Sequence, residues 1–170
     1  TQSPSSAASD VYKRQHLLLG DAAHAILPFY GQGMNAGLED VYVLSEIAAD
    51  NKSPDEIFSA FYSRRKIDAD AIKTLAERNY WNMKNGTVND EQLLYKRFEQ
   101  FLLTHFPNEF EGQYQRISFG DEPYHKALSN GDIIFAQCQA FLKDFDRPED
   151  WSVPEAMAAC KSLLSSFHAD

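Results

Sequence analysis

The chain has 170 residues, 44% of them hydrophobic, and a net charge of -9. That apolar content argues against a wholly disordered chain. The acidic balance, with Arg64-Arg65-Lys66 as its largest basic cluster, argues against a nucleic-acid binder, and no apolar run approaches the roughly 18 residues of a membrane span.

Residues 1–15, TQSPSSAASDVYKRQ, mix four serines and a proline with small polar residues. They lack the apolar stretch of about 7–15 residues that a signal peptide needs, and are expected to be a disordered or non-native leader. Leu17-Leu18-Leu19, ended by Gly20-Asp21, fits a short buried strand. Apolar residues at Met34, Leu38, Val41, Tyr42 and Leu44 predict a helix from about Gly33 to Ala49. Ser53-Pro54-Asp55-Glu56 is a helix start, with Ser53 and Glu56 as a capping box and Pro54 at the first helical position. Ile57, Phe58, Phe61 and Tyr62 follow on it. A break is expected near Ile67, with Asp68 capping a second helix over about 69–83 that carries Ile72, Leu75, Ala76, Tyr80 and Met83. Gly86 should stop it.

Asn89-Asp90-Glu91 opens the next helical pattern, which Pro107 closes after Phe106. Alternation over Tyr114 to Phe119 predicts a short strand. Helices are expected over 124–130 and 132–144, divided by Gly131, and over 153–167, with Arg147-Pro148-Glu149-Asp150 as a connecting loop. The two cysteines, Cys138 and Cys160, show no CxxC spacing and read as reduced, buried thiols. Together these features point to a soluble protein of a reducing compartment, the cytoplasm.

The fold class is therefore mostly α with one buried strand at its start. A lone strand cannot satisfy its own backbone donors and acceptors. The chain accordingly reads as the C-terminal part of a larger protein whose sheet lies upstream.

The stretch with most chemical content is residues 19–40, LGDAAHAILPFYGQGMNAGLED. A carboxylate after a strand faces the crevice where open α/β sheets bind ligands, and it accepts hydrogen bonds from sugar-like hydroxyls. Ala22, Ala23 and Ala25 leave room for a bulky partner. Pro28 fixes the backbone, while Gly31 and Gly33 permit conformations closed to other residues. The helix starting near Gly33, Met34 and Asn35 offers unpaired N–H groups and a favourable dipole to an anionic ligand edge. The reduced isoalloxazine of a flavin is such a ligand. His24 reads as a buried, satisfied histidine rather than a catalytic one.

In order, GD, small residues, proline, GxG and helix start resemble the second FAD-binding signature of the group A flavoprotein monooxygenases, the aromatic hydroxylases with a p-hydroxybenzoate hydroxylase-like fold. PFYGQGMNAG followed by LED resembles the kynurenine-hydroxylating branch. So do Phe61-Tyr62-Ser63-Arg64-Arg65-Lys66, Asp70-Ala71-Ile72, Asn79-Tyr80 with Met83, Arg97-Phe98, Phe106-Pro107 and Tyr124-His125 with Ala127. The likeness spans about 16–145. It implies FAD as cofactor, NADPH as co-substrate and a small aromatic substrate, L-kynurenine. It assigns Asp21 to the ribityl or ribose hydroxyls, and Met34 and Asn35 to the pyrimidine edge. The loop Pro28 to Gln32, with Gly31, lies between flavin and substrate. Phe29, Gln32, Asn79 and Tyr114 are implied substrate contacts. No catalytic acid–base residue and no metal site is assigned.

The resemblance also implies a division of the chain. Residues 16–50 would end the FAD-binding domain, 51–106 would pack on it as helices, and 107–170 would hold the short strand and a helical region. The GxGxxG of an ADP-binding unit and the arginine for the substrate carboxylate are not in this sequence, which places them in an N-terminal portion. Two alternatives stand beside this reading: a group A hydroxylase of another aromatic substrate, and a helical interaction module without cofactor.

Overall fold

The computed structural model describes residues 16–50, 53–85 and 90–167. The expectations placed on the leader 1–15, on Gly86 and on Asn89 lie outside these residues. The elements in order are α1 (Asp21–His24), α2 (Gly33–Ala48), α3 (Pro54–Asn85), α4 (Asp90–His105), α5 (Gln113–Phe119), α6 (Tyr124–Asp144), a 3-10 turn (Pro148–Ser152) and α7 (Pro154–Ser166). The chain divides into two compact units. The first ends at Tyr80 and includes Pro123–Leu128; the second comprises Trp81–Glu122 and the residues from Ser129 onward.

The expected strands are absent among the described residues. Leu17, Leu18 and Leu19 carry no regular structure and are half-buried rather than buried. Among the described residues no neighbouring strand completes their hydrogen bonds, which is what a ladder requires. Residues 114–119 form helix α5 instead. Gln115 reaches back to accept the Gly112 N–H at 2.8 Å, which closes the first turn. Only Ile117 of the alternating set is buried, so nothing rewards a strand's two-faced pattern.

Two expected helix breaks are also missing. Helix α3 runs uninterrupted for 32 residues. Its buried stripe of Phe61, Arg65, Ile72, Leu75 and Ala76 runs on past Ile67, which lies on the exposed face. Asp68 caps nothing; its carboxylate accepts the His125 N–H at 3.0 Å and Nδ1 at 2.7 Å. Helix α6 likewise continues through Gly131. That glycine serves close approach, since a methyl there would stand 2.3 Å from Gln113 Nε2. The start of α3 follows its sequence signal: Ser53 N–H donates to Glu56 Oε2 at 2.9 Å, and Glu56 N–H donates back to Ser53 Oγ at 3.4 Å.

The first unit centres on Val43, Ile47 and Phe61, with Leu17, Leu19, Leu44, Ile57 and Ala60 packed around them. The second is an aromatic core of Phe98, Phe106, Phe110, Phe141 and Trp151, closed by Cys138, Ala156, Cys160 and Leu164. Phe98 stacks on Phe141 at 4.5 Å and meets Trp151 edge-on at 5.1 Å. Trp151 belongs to the 3-10 turn expected as a plain connecting loop, and its Nε1 donates to Phe145 O at 2.9 Å. Both cysteines are free and buried. No helix among the described residues is long and apolar enough to cross a membrane.

Candidate functional site

The GD segment builds a turn before it builds a site. Gly20 has φ 56°, a left-handed conformation that side chains resist. Its carbonyl accepts the N–H groups of Ala23 and His24 at 2.9 Å each, which winds α1, an element absent from the sequence reading. Its own N–H donates to Asp40 Oδ2 on α2 at 2.9 Å. The turn lies so close to α2 that a methyl on Gly37 would sit 3.5 Å from Gly20 Cα.

Asp40 is the centre of a buried polar network. Its side chain is 1% exposed, a placement that a carboxylate tolerates only when fully paired. His24 Nε2 donates to Oδ2 at 2.6 Å, and Arg65 Nε donates to Oδ1 at 2.7 Å. Arg65 spends its other nitrogens on Glu39 Oε2 at 2.9 Å and on the Ala36 carbonyl at 3.2 Å. Burial alone would raise the Asp40 pKa; the bonds from His24, the Gly20 N–H and Arg65 outweigh it and hold the carboxyl below its ordinary range. The hydrogen bond to Asp40 raises the His24 pKa against the opposing pull of burial. His24 Nδ1 is buried without a partner among the described residues. One carboxylate thus ties the GD turn, α2 and α3 together.

The loop between α1 and α2 is shaped by two local constraints. Phe29 N–H donates to Leu27 O at 2.8 Å, a γ-turn centred on Pro28. Gly31 has φ 67° and open space around its Cβ position. Gln32 follows as the N-cap of α2, is buried, and makes no side-chain cap hydrogen bond. Its Oε1 accepts instead from Asn35 Nδ2 at 2.9 Å and from Tyr124 Oη at 3.1 Å. Met34 and Asn35, at the uncapped start of α2, are exposed, Met34 at 74%.

Asp21 lies beside this helix start: a methyl on Gly33 would be 3.6 Å from Asp21 Oδ1. Gly33 therefore contributes the lack of a side chain there, while positive φ is reserved for Gly20 and Gly31. Asp21 is exposed. On the substrate-assigned side, Asn79 Nδ2 of α3 donates to Phe29 O at 3.2 Å, and the Phe29 ring packs 5.3 Å from Tyr80.

The first unit thus brings together Asp21, Pro28, Phe29, Gly31, Gln32, Gly33, Met34, Asn35 and Asn79. Tyr114 is a residue of the second unit, 55% exposed on α5, with its ring 6.4 Å from Phe119. Sequence reasoning missed Asp40 and Arg65, although both stand inside quoted stretches, LED and RRK. Their signal was a charge at a core-facing helical position, three or four residues from apolar neighbours such as Val43 and Phe61.

An FAD binding domain family matches residues 3–71, which include the GD turn, the loop and α2. Similarity to individual proteins extends much further. A kynurenine 3-monooxygenase of Flavobacterium psychrophilum is 38% identical over 156 residues, covering 91% of this chain and 35% of that protein. Over most of its length the chain is similar to part of that kynurenine 3-monooxygenase. Those of Myxococcus xanthus, 38% identical over 92% of this chain, and Flavobacterium johnsoniae, 40% identical over 90%, give the same result, each covered for 34% of its length. The chain spans about a third of the length of the curated kynurenine 3-monooxygenases it matches.

The residues present suit a flavin nucleotide. An exposed carboxylate such as Asp21 offers hydrogen-bond acceptors, which match the hydroxyls of a ribityl or ribose chain. The uncapped start of a 16-residue helix offers N–H donors and a positive dipole end to an anionic ring edge.

Proposed function

We propose that the protein is an FAD-dependent monooxygenase that hydroxylates L-kynurenine at its 3-position. The overall reaction converts kynurenine, NADPH, a proton and O2 into 3-hydroxykynurenine, NADP+ and water. The observation that carries this reading is the adjacency of Asp21 and the open start of α2, within a segment that matches an FAD binding domain. When bound, the flavin supplies the redox chemistry, taking hydride from NADPH and activating O2.

The chain's own residues bind and orient. Asp21 accepts from hydroxyls of the cofactor's sugar chain. The N–H groups of Met34 and Asn35 would be offered to the pyrimidine edge of a bound flavin. The Pro28–Gln32 loop walls the substrate, with Phe29 offering a ring face and Asn79 holding the loop by its Phe29 carbonyl. The buried Asp40 network keeps the GD turn rigid beneath the cofactor, and this preorganisation avoids ordering costs on binding.

The test is kynurenine-dependent NADPH oxidation with 3-hydroxykynurenine as product, measured on the full-length, FAD-loaded protein. Absence of that product, with turnover of another phenol or aniline, would overturn the substrate. A folded protein that takes up no FAD would overturn the enzyme class. Asp21→Asn should weaken FAD binding roughly 10–100-fold, the worth of a charged hydrogen bond, and leave the melting temperature unchanged.

A further inference from the structure

We propose that Tyr124 is a positioning residue for the Pro28–Gln32 loop, holding the Gln32 amide out of the start of α2. The proposal rests on the reading of that loop as a wall of the flavin and substrate site. Tyr124 is the first residue of α6 and stands 92 positions from Gln32, yet both side chains are buried in the first unit and hydrogen-bonded at 3.1 Å.

The geometry leaves Gln32 little choice. Its Oε1 has two acceptor sites, and Tyr124 Oη and Asn35 Nδ2 occupy both. Its Nε2 donates to the Tyr30 carbonyl at 3.4 Å. At an N-cap, Ser, Thr, Asp and Asn turn a side-chain oxygen onto the second or third helical N–H. Gln32 occupies that position on α2 and makes no such bond. Its side-chain oxygen is engaged away from those N–H groups, and Tyr124 supplies one of the two bonds that hold it there.

Tyr124 is itself firmly placed. The next residue, His125, bonds Asp68 of α3 through both its backbone N–H and Nδ1. Burial pushes the phenol pKa well above the ordinary tyrosine value, and the Glu39 carboxylate, which competes with Gln32 Oε1 for the single O–H, raises it further. It therefore remains a donor across the whole physiological range. Neighbouring support comes from Asn79, whose bond to the Phe29 carbonyl fixes the other end of the same loop.

The experiment compares Tyr124→Phe, Gln32→Met and the double variant in the full-length protein. Backbone amide exchange over residues 29–36 is read without substrate, and FAD affinity is read separately. Tyr124→Phe should speed exchange in that segment threefold to tenfold, the range expected for one lost hydrogen bond, with α4 and α7 unchanged. Gln32→Met, which removes all three bonds of that amide, should speed exchange at least as much, and the double variant should add nothing beyond it. FAD dissociation constants should rise threefold to tenfold in each. Unchanged exchange, additive effects, or faster exchange with unaltered FAD affinity would each overturn the proposal. Should Tyr124→Phe fail to fold, Gln32→Met decides by the same two readouts. A wild-type protein that takes up no FAD counts against the functional reading, while the exchange arms still decide whether Tyr124 holds the loop.

Discussion

Arg64 and Arg65 are adjacent in sequence and opposite in circumstance, which makes them an internal control. Arg64 meets Glu46 at 2.8 Å with side chains 54% and 39% exposed. Such surface pairs contribute about 0.2–1 kcal/mol. Arg65 is 6% exposed at its side chain and bonds Asp40, Glu39 and the Ala36 carbonyl. Removing it strands the Asp40 carboxylate with only His24 and the Gly20 N–H. Deleting one partner of a buried pair costs about 3–5 kcal/mol. For a chain of this size each kcal/mol moves the melting temperature by about 2–4 °C. Arg65→Ala should therefore lower it by roughly 6–20 °C, on those same slopes, and Arg64→Ala by no more than roughly 4 °C. Arg65→Lys should fall between them, because an ammonium cannot reproduce the planar fork. Thermal and urea unfolding followed by circular dichroism measures all three. Equal, small effects of the two alanine substitutions would refute the view that this network anchors the GD turn.

Two further expectations concern titration and reactivity. The His24 pKa is raised above 6.5, so its contribution is complete below that pH and is lost as pH rises through the raised value. Asp40 has the opposite sign: its pKa is lowered from 3.8, so its contribution is present above that pH and is lost as pH falls through the lowered value. Urea midpoints of the wild type should fall as pH climbs above 6.5, and His24→Gln should flatten that slope; an unaltered slope would count against the His24–Asp40 bond. Burial pushes Cys138 up to about 12 and Cys160 up to about 11. At pH 8 neither forms appreciable thiolate, so a thiol reagent should spare both in the native protein and label both in urea. Rapid stoichiometric labelling of the native chain would contradict their burial.

Local signals in the sequence were readable wherever one side chain acts on its own backbone. The capping box at Ser53, the start of α2 near Gly33 and the end of α4 before Pro107 are of this kind. The failures came where distant partners decide. Gly131 looked like a helix stop because sequence does not show Gln113 beside it, and Ile67 looked like a break because the buried stripe around it was hidden. The short alternation at 114–119 misled for the same reason: a strand needs a neighbour, and α5 needs only Gln115. Within the site, Asp21 and the loop were legible as a GD motif. The network of His24, Asp40 and Arg65 was not, because its members lie 16 and 25 residues apart and only folding joins them.

Helix α2 does not sort its two faces by polarity: its buried face holds a carboxylate and its exposed face is largely apolar. Inward go Ala36, Asp40, Val43 and Ile47; outward go Met34, Leu38, Val41 and Tyr42, the stripe that gave the sequence its helical period. The two faces should differ in how freely they drift over evolutionary time. Outward positions can exchange one bulky residue for another without touching the packing of the first unit. Inward, Ala36 is wholly enclosed and its carbonyl is an Arg65 acceptor, so one added methylene would overpack the first unit. A lineage could therefore remodel whatever α2 presents outward while the seat beneath the GD turn stays fixed.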